Sequence, residues 1–159
     1  MATATTALAY LSGAPLQGSA DAFVQASIST ALSGQTNVCY RMKELVFELP
    51  QVANANACDY QVTFTRKSFA AIPAITEKSL IFTFRRSVAF ATSGEAVYDR
   101  VFRFTWSDSD APIIVEDPIY VQFDSATTSA ANTLYWRIGY VIQSINATDR
   151  LQLIANSLS

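Results

Sequence analysis

The sequence contains no histidine, the side chain that most often acts as a general base and as a metal ligand. This absence excludes catalytic sites built on Ser-His-Asp or Cys-His pairs. Five glycines leave little material for a phosphate-binding loop, and neither SGAPLQGSA nor LSGQTN has the spacing of one. We therefore expect a protein without enzymatic activity and without a cofactor.

Cysteine is also scarce, with only Cys39 and Cys58 in the chain. Two cysteines are too few for a disulfide framework, and their spacing is not that of zinc ligands. A single disulfide would satisfy the count, but free cysteines are among the most buried residue types. We expect two buried thiols.

Charged residues make up 15% of the chain, against about 25% in typical soluble domains. So few charges indicate that part of the surface does not face water. The net charge of −2 gives no overall attraction to nucleic acid. No stretch approaches the roughly 18 continuous apolar residues of a membrane-spanning helix, so no membrane span is expected.

At 159 residues the chain is expected to form one domain. Residues 1–20 are rich in Ala, Thr, Ser and Gly, which predicts a flexible N-terminal arm. Residues 21–159 are expected to form a single β-sandwich domain. Within that domain, residues 21–32 fit both a helical face and a strand alternation, and their Asp, Thr and Ser content favours an extended segment.

Alternating apolar and polar residues predict strands over most of the remaining chain. The clearest is DYQVTFTRKS, where Tyr60, Val62 and Phe64 alternate with polar residues. Similar segments are VCYRMKELVFELP, SLIFTFRRSVAFATSG, AVYDRVFRFTWSD and IIVEDPIYVQFDS, the last interrupted at Asp117-Pro118. This list of about eight short strands predicts an all-β fold, an antiparallel β-sandwich or jelly roll.

The segment NTLYWRIGYVIQS, residues 132–144, is apolar on both of its strand faces. One parity carries Leu134, Trp136, Ile138, Tyr140 and Ile142; the other carries Tyr135, Arg137, Gly139, Val141 and Gln143. Only one face of a strand can pack the core of a sandwich. We expect the second face to meet a neighbouring subunit or the arm, with Tyr135, Arg137 and Val141 at the contact.

Arginine and aromatic residues are interleaved in FTFRRS, RVFRFTW and LYWRIGY. Such a pattern is typical of surfaces that stack single-stranded nucleic acid, and Arg85 and Arg86 are the candidate contacts. Arg103 and Arg137 lie on the parity opposite to the neighbouring rings, whereas Arg86 and Arg100 share parity with aromatics. Arginines on the outer face of an ordinary sheet are the simpler interpretation, because the chain has no basic excess.

Two acidic pairs are candidate sites. Asp108 and Asp110 lie in the loop SDSDAP, where carboxylates could hold a calcium ion, although Asp and Ser also form such loops without metal. Glu116 and Asp117 are adjacent and would point to opposite faces of a strand, so they are not expected to act as a catalytic pair. We predict a loop at the first pair and no metal site.

Strand number, chain length, the arm and the terminal segments NTLYWRIGYVIQSIN and DRLQLI, taken as a strand pair, resemble single jelly-roll capsid proteins of icosahedral viruses. The resemblance covers most of residues 20–155. It implies two packed sheets, assembly through pentamers or hexamers into a shell, a place in the virion, and contacts with other virion proteins. The arm has no basic residue, unlike the Arg-rich arms of many RNA-virus coat proteins, so genome binding by the arm is in doubt.

Two other functions remain open from the sequence. A carbohydrate- or ligand-binding sandwich would line a groove with aromatics such as Tyr98, Trp106, Tyr135 and Trp136. A sheet that binds single-stranded nucleic acid would use the arginines described above.

Overall fold

A computed structural model of the chain describes residues 8–18, 22–49, 58–88, 100–126 and 132–158. These residues contain ten strands and one helix. The strands are β1 (Ala9–Leu11), β2 (Leu16–Gly18), β3 (Phe23–Ile28), β4 (Val38–Glu48), β5 (Cys58–Thr65), β6 (Leu80–Val88), β7 (Val101–Thr105), β8 (Ile113–Ile114), β9 (Ile119–Ala126) and β10 (Asn132–Ser144), followed by helix α1 (Ala147–Leu158).

The strands form two antiparallel sheets that pack face to face. The six-stranded sheet has the order β1-β10-β4-β7, with β2 added to β10 and β8 added to β4. The four-stranded sheet has the order β3-β9-β5-β6. Since the chain crosses repeatedly from one sheet to the other, the architecture is the predicted antiparallel sandwich of jelly-roll type. The extended conformation expected within residues 21–32 and the break at Asp117-Pro118 are also confirmed.

The N-terminal segment differs from the flexible arm that we expected over residues 1–20. β1 pairs with β10 at Ile138–Tyr140, and β2 pairs with β10 near its start, at 132–134. These two short strands satisfy backbone groups that the edge of β10 would otherwise expose. Residues 8–18 are therefore part of the sheet, and the rest of the predicted arm lies outside the described residues.

Aromatic side chains fill much of the space between the sheets. Phe47 of β4 is 1% exposed and lies 5.1–6.2 Å, between ring centroids, from four other phenylalanines. These are Phe82, Phe84, Phe102 and Phe104, which come from β6 and β7. The cluster joins strands of both sheets, as expected for rings that alternate with polar residues along each strand.

The register of β10 against β4 shifts between Gly139 and Tyr140, where Lys43 of β4 has no partner across the ladder. Such a bulge places two successive residues on one face, so Lys43 and Glu44 both turn away from the core. Along β10, Leu134, Ile138 and Tyr140 are buried as parity predicts. Ile142, near the C-terminal end of β10, is 60% exposed, contrary to its predicted place in the core.

The segment DRLQLI, expected to be a strand, belongs to helix α1. Asn146 begins this helix: its Oδ1 accepts a hydrogen bond from the Asp149 backbone N–H at 2.8 Å, and its Nδ2 donates to Asp149 Oδ2 at 2.6 Å. The first bond is the cap expected of Asn at a helix start, and the second joins the two side chains. Arg150 then donates to the carbonyl oxygens of Val38 and Val115, at 3.0 and 2.8 Å. These contacts hold the helix against the end of the sandwich.

Replacing Asn146 by alanine is expected to lower the free energy of unfolding by about 1 kcal/mol, because the Asp149 N–H loses its acceptor. Urea denaturation followed by circular dichroism measures the loss. Asn146→Ser keeps a capping oxygen and should stay close to the parent. Equal losses in both variants would mean that the cap does not stabilise α1.

Candidate subunit interface

The three residues predicted for a subunit contact project from β10 away from the core. Tyr135 is 53% exposed, Arg137 is exposed and Val141 is half-buried. The alternate residues Leu134 and Trp136 are buried in the sandwich. The strand therefore turns its second apolar face outward, and a subunit contact at this face remains a prediction.

Strand pairing arranges the outward side chains in rows. The rows across β10, β4 and β7 are Tyr135–Glu48–Val101, Arg137–Val46–Arg103 and Gly139–Glu44–Thr105. Tyr10 of β1 is paired with Gly139 at the end of the third row. We call these ten residues, together with Val141, the outer face. Side chains directly opposite each other in a row are close enough to contact.

The first row carries the most exposed apolar surface of the outer face. Val101 is 60% exposed and Tyr135 is 53% exposed. A shallow groove of about 260 Å³ runs between them, with Val46 and Arg137 also in its lining. Exposed aromatic and branched side chains gathered around a groove are typical of interaction sites rather than of a solvated sheet.

Glu44 lies between two arginines in the middle of the outer face. Its Oε2 accepts from Arg103 Nε at 2.8 Å and also from Arg103 Nη2, while its Oε1 accepts from Arg137 Nη2 at 3.1 Å. The Glu44 side chain is 5% exposed, whereas those of Arg103 and Arg137 are 65% and 48% exposed. Two guanidinium groups therefore share one buried carboxylate.

Gly139 makes room for this cluster. A Cβ at this position would lie 3.2 Å from both Glu44 Cβ and Tyr10 Cε1, which is tighter than ordinary contact. The Tyr10 ring can therefore lie close to the backbone of β10. The guanidinium carbon of Arg137 lies 4.7 Å from the centroid of the Tyr10 ring. This cation–π contact ties β1 to the outer face, so Tyr10 of β1 covers part of the second face of β10.

The hydrogen bond from Arg103 lowers the pKa of Glu44 below its ordinary value; burial opposes this effect and Arg137 adds to it. A depressed pKa in the folded state contributes stability above the ordinary pKa of the carboxyl, and that contribution is lost as the pH falls through the folded value. We expect Glu44→Gln to be less stable than the parent at neutral pH. The difference should shrink in urea denaturation as the pH falls below the ordinary carboxyl pKa of about 4.3. A constant difference would contradict this assignment.

Six members of the outer face were not singled out from the sequence: Tyr10, Glu44, Val46, Glu48, Val101 and Thr105. In the alternation of β4, Glu44 falls on the parity opposite to the apolar Leu45. The structure places Glu44 on the outer face, in agreement with that parity. Nothing in the sequence gives the register that aligns Glu44 with Gly139 and places the two arginines beside it, because register depends on pairing with distant strands.

Arg85 and Arg86, the candidate nucleic-acid contacts, lie on opposite faces of β6. Arg85 is exposed, and its Nη2 lies 3.8 Å from Asp59 Oδ2. Arg86 is half-buried, with its guanidinium carbon 5.6 Å from the Phe102 ring centroid. The structure does not bring the two arginines to one surface.

In each of the two acidic pairs, the two carboxylates bind different partners. Lys43 Nζ binds Asp108 Oδ1 at 2.5 Å, and Asp110 accepts from Ser107 Oγ at 2.6 Å. Glu116 Oε1 lies 3.3 Å from Arg66 Nε, whereas Asp117 accepts from the Thr30 N–H at 2.8 Å. Within the described residues, no group of three or more Cys, Asp or Glu side chains is arranged to hold a metal ion.

Cys39 is a buried free thiol, and burial raises its pKa. The expectation of a buried thiol is confirmed for Cys39. The side chain of Cys58 lies outside the described residues, so a second buried thiol stays a prediction.

Of the four aromatics proposed for a ligand groove, Tyr135 and Trp136 both line the shallow groove of the outer face. Trp136 is 7% exposed and faces the core, while its neighbour Tyr135 faces outward. Trp106 is half-buried, with its ring 6.1 Å from that of Phe82, and Tyr98 lies outside the described residues. No helix in the described part of the chain is long and apolar enough to cross a membrane.

No protein-family model matches the sequence, and no curated protein matches it. Among solved structures, the chain is similar to Desmodium yellow mottle tymovirus, at 9% identity and a TM-score of 0.35 over 91% of this chain and 93% of that chain. It is also similar to the VP2 subviral particle of infectious bursal disease virus, at 12% identity and a TM-score of 0.37 over 99% of this chain and 36% of that chain. The chain thus spans about a third of the latter's length. Both similarities are to viral structures.

Proposed function

We propose that this chain is a non-enzymatic structural subunit that assembles with copies of itself into a closed shell, as the coat protein of a virion does. The observation that carries the proposal is the outer face, where Tyr135 and Val101 expose apolar surface around a groove. In a monomeric sandwich this face would meet water and would be expected to be polar.

The size of the exposed apolar surface favours several contacts over a single large one. An aromatic side chain buries about 150–250 Å², and Tyr10 and Tyr135 are each about half exposed. Together with Val101 they supply far less than the ~800 Å² per partner of a stable pairwise interface. Repeated contacts between identical copies add to one another in a closed assembly, so each contact can be individually small.

The low charge content of the chain supports the same proposal. Only 15% of the residues are charged, and on the outer face Glu44 and Glu48 are both bound to arginines. Desolvating charges that are already paired costs less than desolvating isolated ones. The outer face can therefore be covered by another copy without leaving those carboxylates unpaired.

Light scattering on a sizing column tests the proposal with the full chain. We expect a mass many times the 17.3 kDa of one chain. A monomer over the whole accessible concentration range would contradict self-assembly. In that case a ligand-binding sandwich would become the leading function.

A further inference from the structure

The Arg103–Glu44–Arg137 cluster carries more positive than negative charge. Glu44 supplies one carboxylate to two guanidinium groups, whose side chains are 65% and 48% exposed. Two neighbouring cations are each matched by one carboxylate: Arg100 Nη2 binds Glu48 Oε1 at 2.8 Å, and Lys43 Nζ binds Asp108 Oδ1 at 2.5 Å. Arg41, opposite Val141, donates instead to the Gln143 side chain and to the Asp108 carbonyl. The cluster is therefore a place where two partly exposed guanidinium groups share one carboxylate, in a chain whose net charge is −2.

The loop 107–110, which follows β7, offers the complementary group. Asp110 is exposed, accepts a hydrogen bond from Ser107 Oγ at 2.6 Å, and forms no ion pair among the described residues. The loop is fixed on the outward side of the sheet because Asp108 binds Lys43 and its carbonyl accepts from Arg41. The Asp110 carboxylate and the Arg103–Glu44–Arg137 cluster therefore lie on the same side of the molecule. The two are separated from each other along the direction of the strands.

A surface with this arrangement is complementary to itself. Rotating a second copy by half a turn about an axis through the face brings the loop of each copy toward the cluster of the other, and the contact is made twice. We propose that the Arg103–Glu44–Arg137 cluster binds the Asp110 carboxylate of a second copy across such a two-fold contact. This inference rests on the proposed self-assembly and names one of its contacts.

The first test removes the carboxylate alone. Asp110→Asn is compared with Asp59→Asn, which removes one charge from the four-stranded sheet. Sedimentation equilibrium at about 50 mM salt should show association about tenfold weaker for Asp110→Asn than for the control. The difference should largely vanish at about 500 mM salt, where exposed charges are screened. Equal association of the two variants would overturn the two-fold contact while leaving self-assembly in place.

The second test locates the contact directly. Arg103→Lys keeps the positive charge and supplies an amine that a carbodiimide joins to a nearby carboxylate. In a mixture of ¹⁴N- and ¹⁵N-labelled chains, mass spectrometry should find a mixed-isotope amide between residues 103 and 110. The amide between residues 103 and 44 of one chain is the internal control. The control amide without the mixed one would overturn the proposal.

Two further outcomes are distinguishable. A parent protein that stays monomeric at every concentration removes the proposed function and this contact together. Binding of a labelled single-stranded oligonucleotide that is lost in Arg103→Gln and Arg137→Gln, without any effect of Asp110→Asn on association, would make nucleic acid the occupant of the cluster and overturn the proposal.

Discussion

Replacing Trp136 by alanine is expected to lower the free energy of unfolding by about 3–5 kcal/mol. The indole is 7% exposed, and its ring lies 6.0 Å from that of Phe64 in an edge contact across the sandwich. Gly13 closes over it, since a Cβ there would come within 2.6 Å of Trp136 Cζ2. Neither neighbour can fill the space of the lost ring, so the variant keeps most of the cavity.

The adjacent residue provides a matched control for this prediction. Tyr135 lies on the same strand but is 53% exposed on the outer face. We expect Tyr135→Ala to cost about 1 kcal/mol or less in urea denaturation at concentrations where the chain is monomeric. Similar losses for both variants would contradict the assignment of the two parities to core and surface.

Replacing Tyr135 by glutamate is expected to abolish assembly and to leave the monomer folded. In the monomer the new carboxylate stands in water beside Arg137. In an assembled contact it would be desolvated directly across the ladder from a second carboxylate, that of Glu48, which costs several kcal/mol at each copy. Because the contact is repeated, the loss is multiplied over the assembly. Light scattering should report a monomer, and circular dichroism should match the parent.

Tyr135→Phe is the control for the effect of charge at this position. It keeps the ring and removes only the hydroxyl, so assembly should persist. A charged substitution at Val141 should act like Tyr135→Glu, since both residues belong to the outer face. A folded Tyr135→Glu protein that assembles as the parent does would exclude this face as an interface.

The sandwich could be predicted from the sequence because strand alternation is local. In β10, Trp136 and Ile138 point inward and Tyr135 and Arg137 point outward, as a period of two residues requires. The loop interpretation of Asp108 and Asp110 needed only the turn-forming residues around them. The outward placement of Arg103 likewise followed from the parity of β7 alone.

Features that depend on distant residues could not be predicted in the same way. The helix at 147–158 was mistaken for a strand because Leu151 and Leu153 also fit an alternation, while the Asn146 cap and the Arg150 contacts decide for the helix. The pairing of Ala9–Leu11 with β10 and the placement of Glu44 between two arginines depend on register across strands far apart in sequence. Neither is encoded in a local pattern.

Negative-stain electron microscopy of the purified full chain tests the central claim, self-assembly into a shell, most directly. The account predicts closed particles of uniform size, or five- and six-fold rings that precede them. A field of separate subunits, in a sample that scatters as a 17.3 kDa monomer, would contradict it.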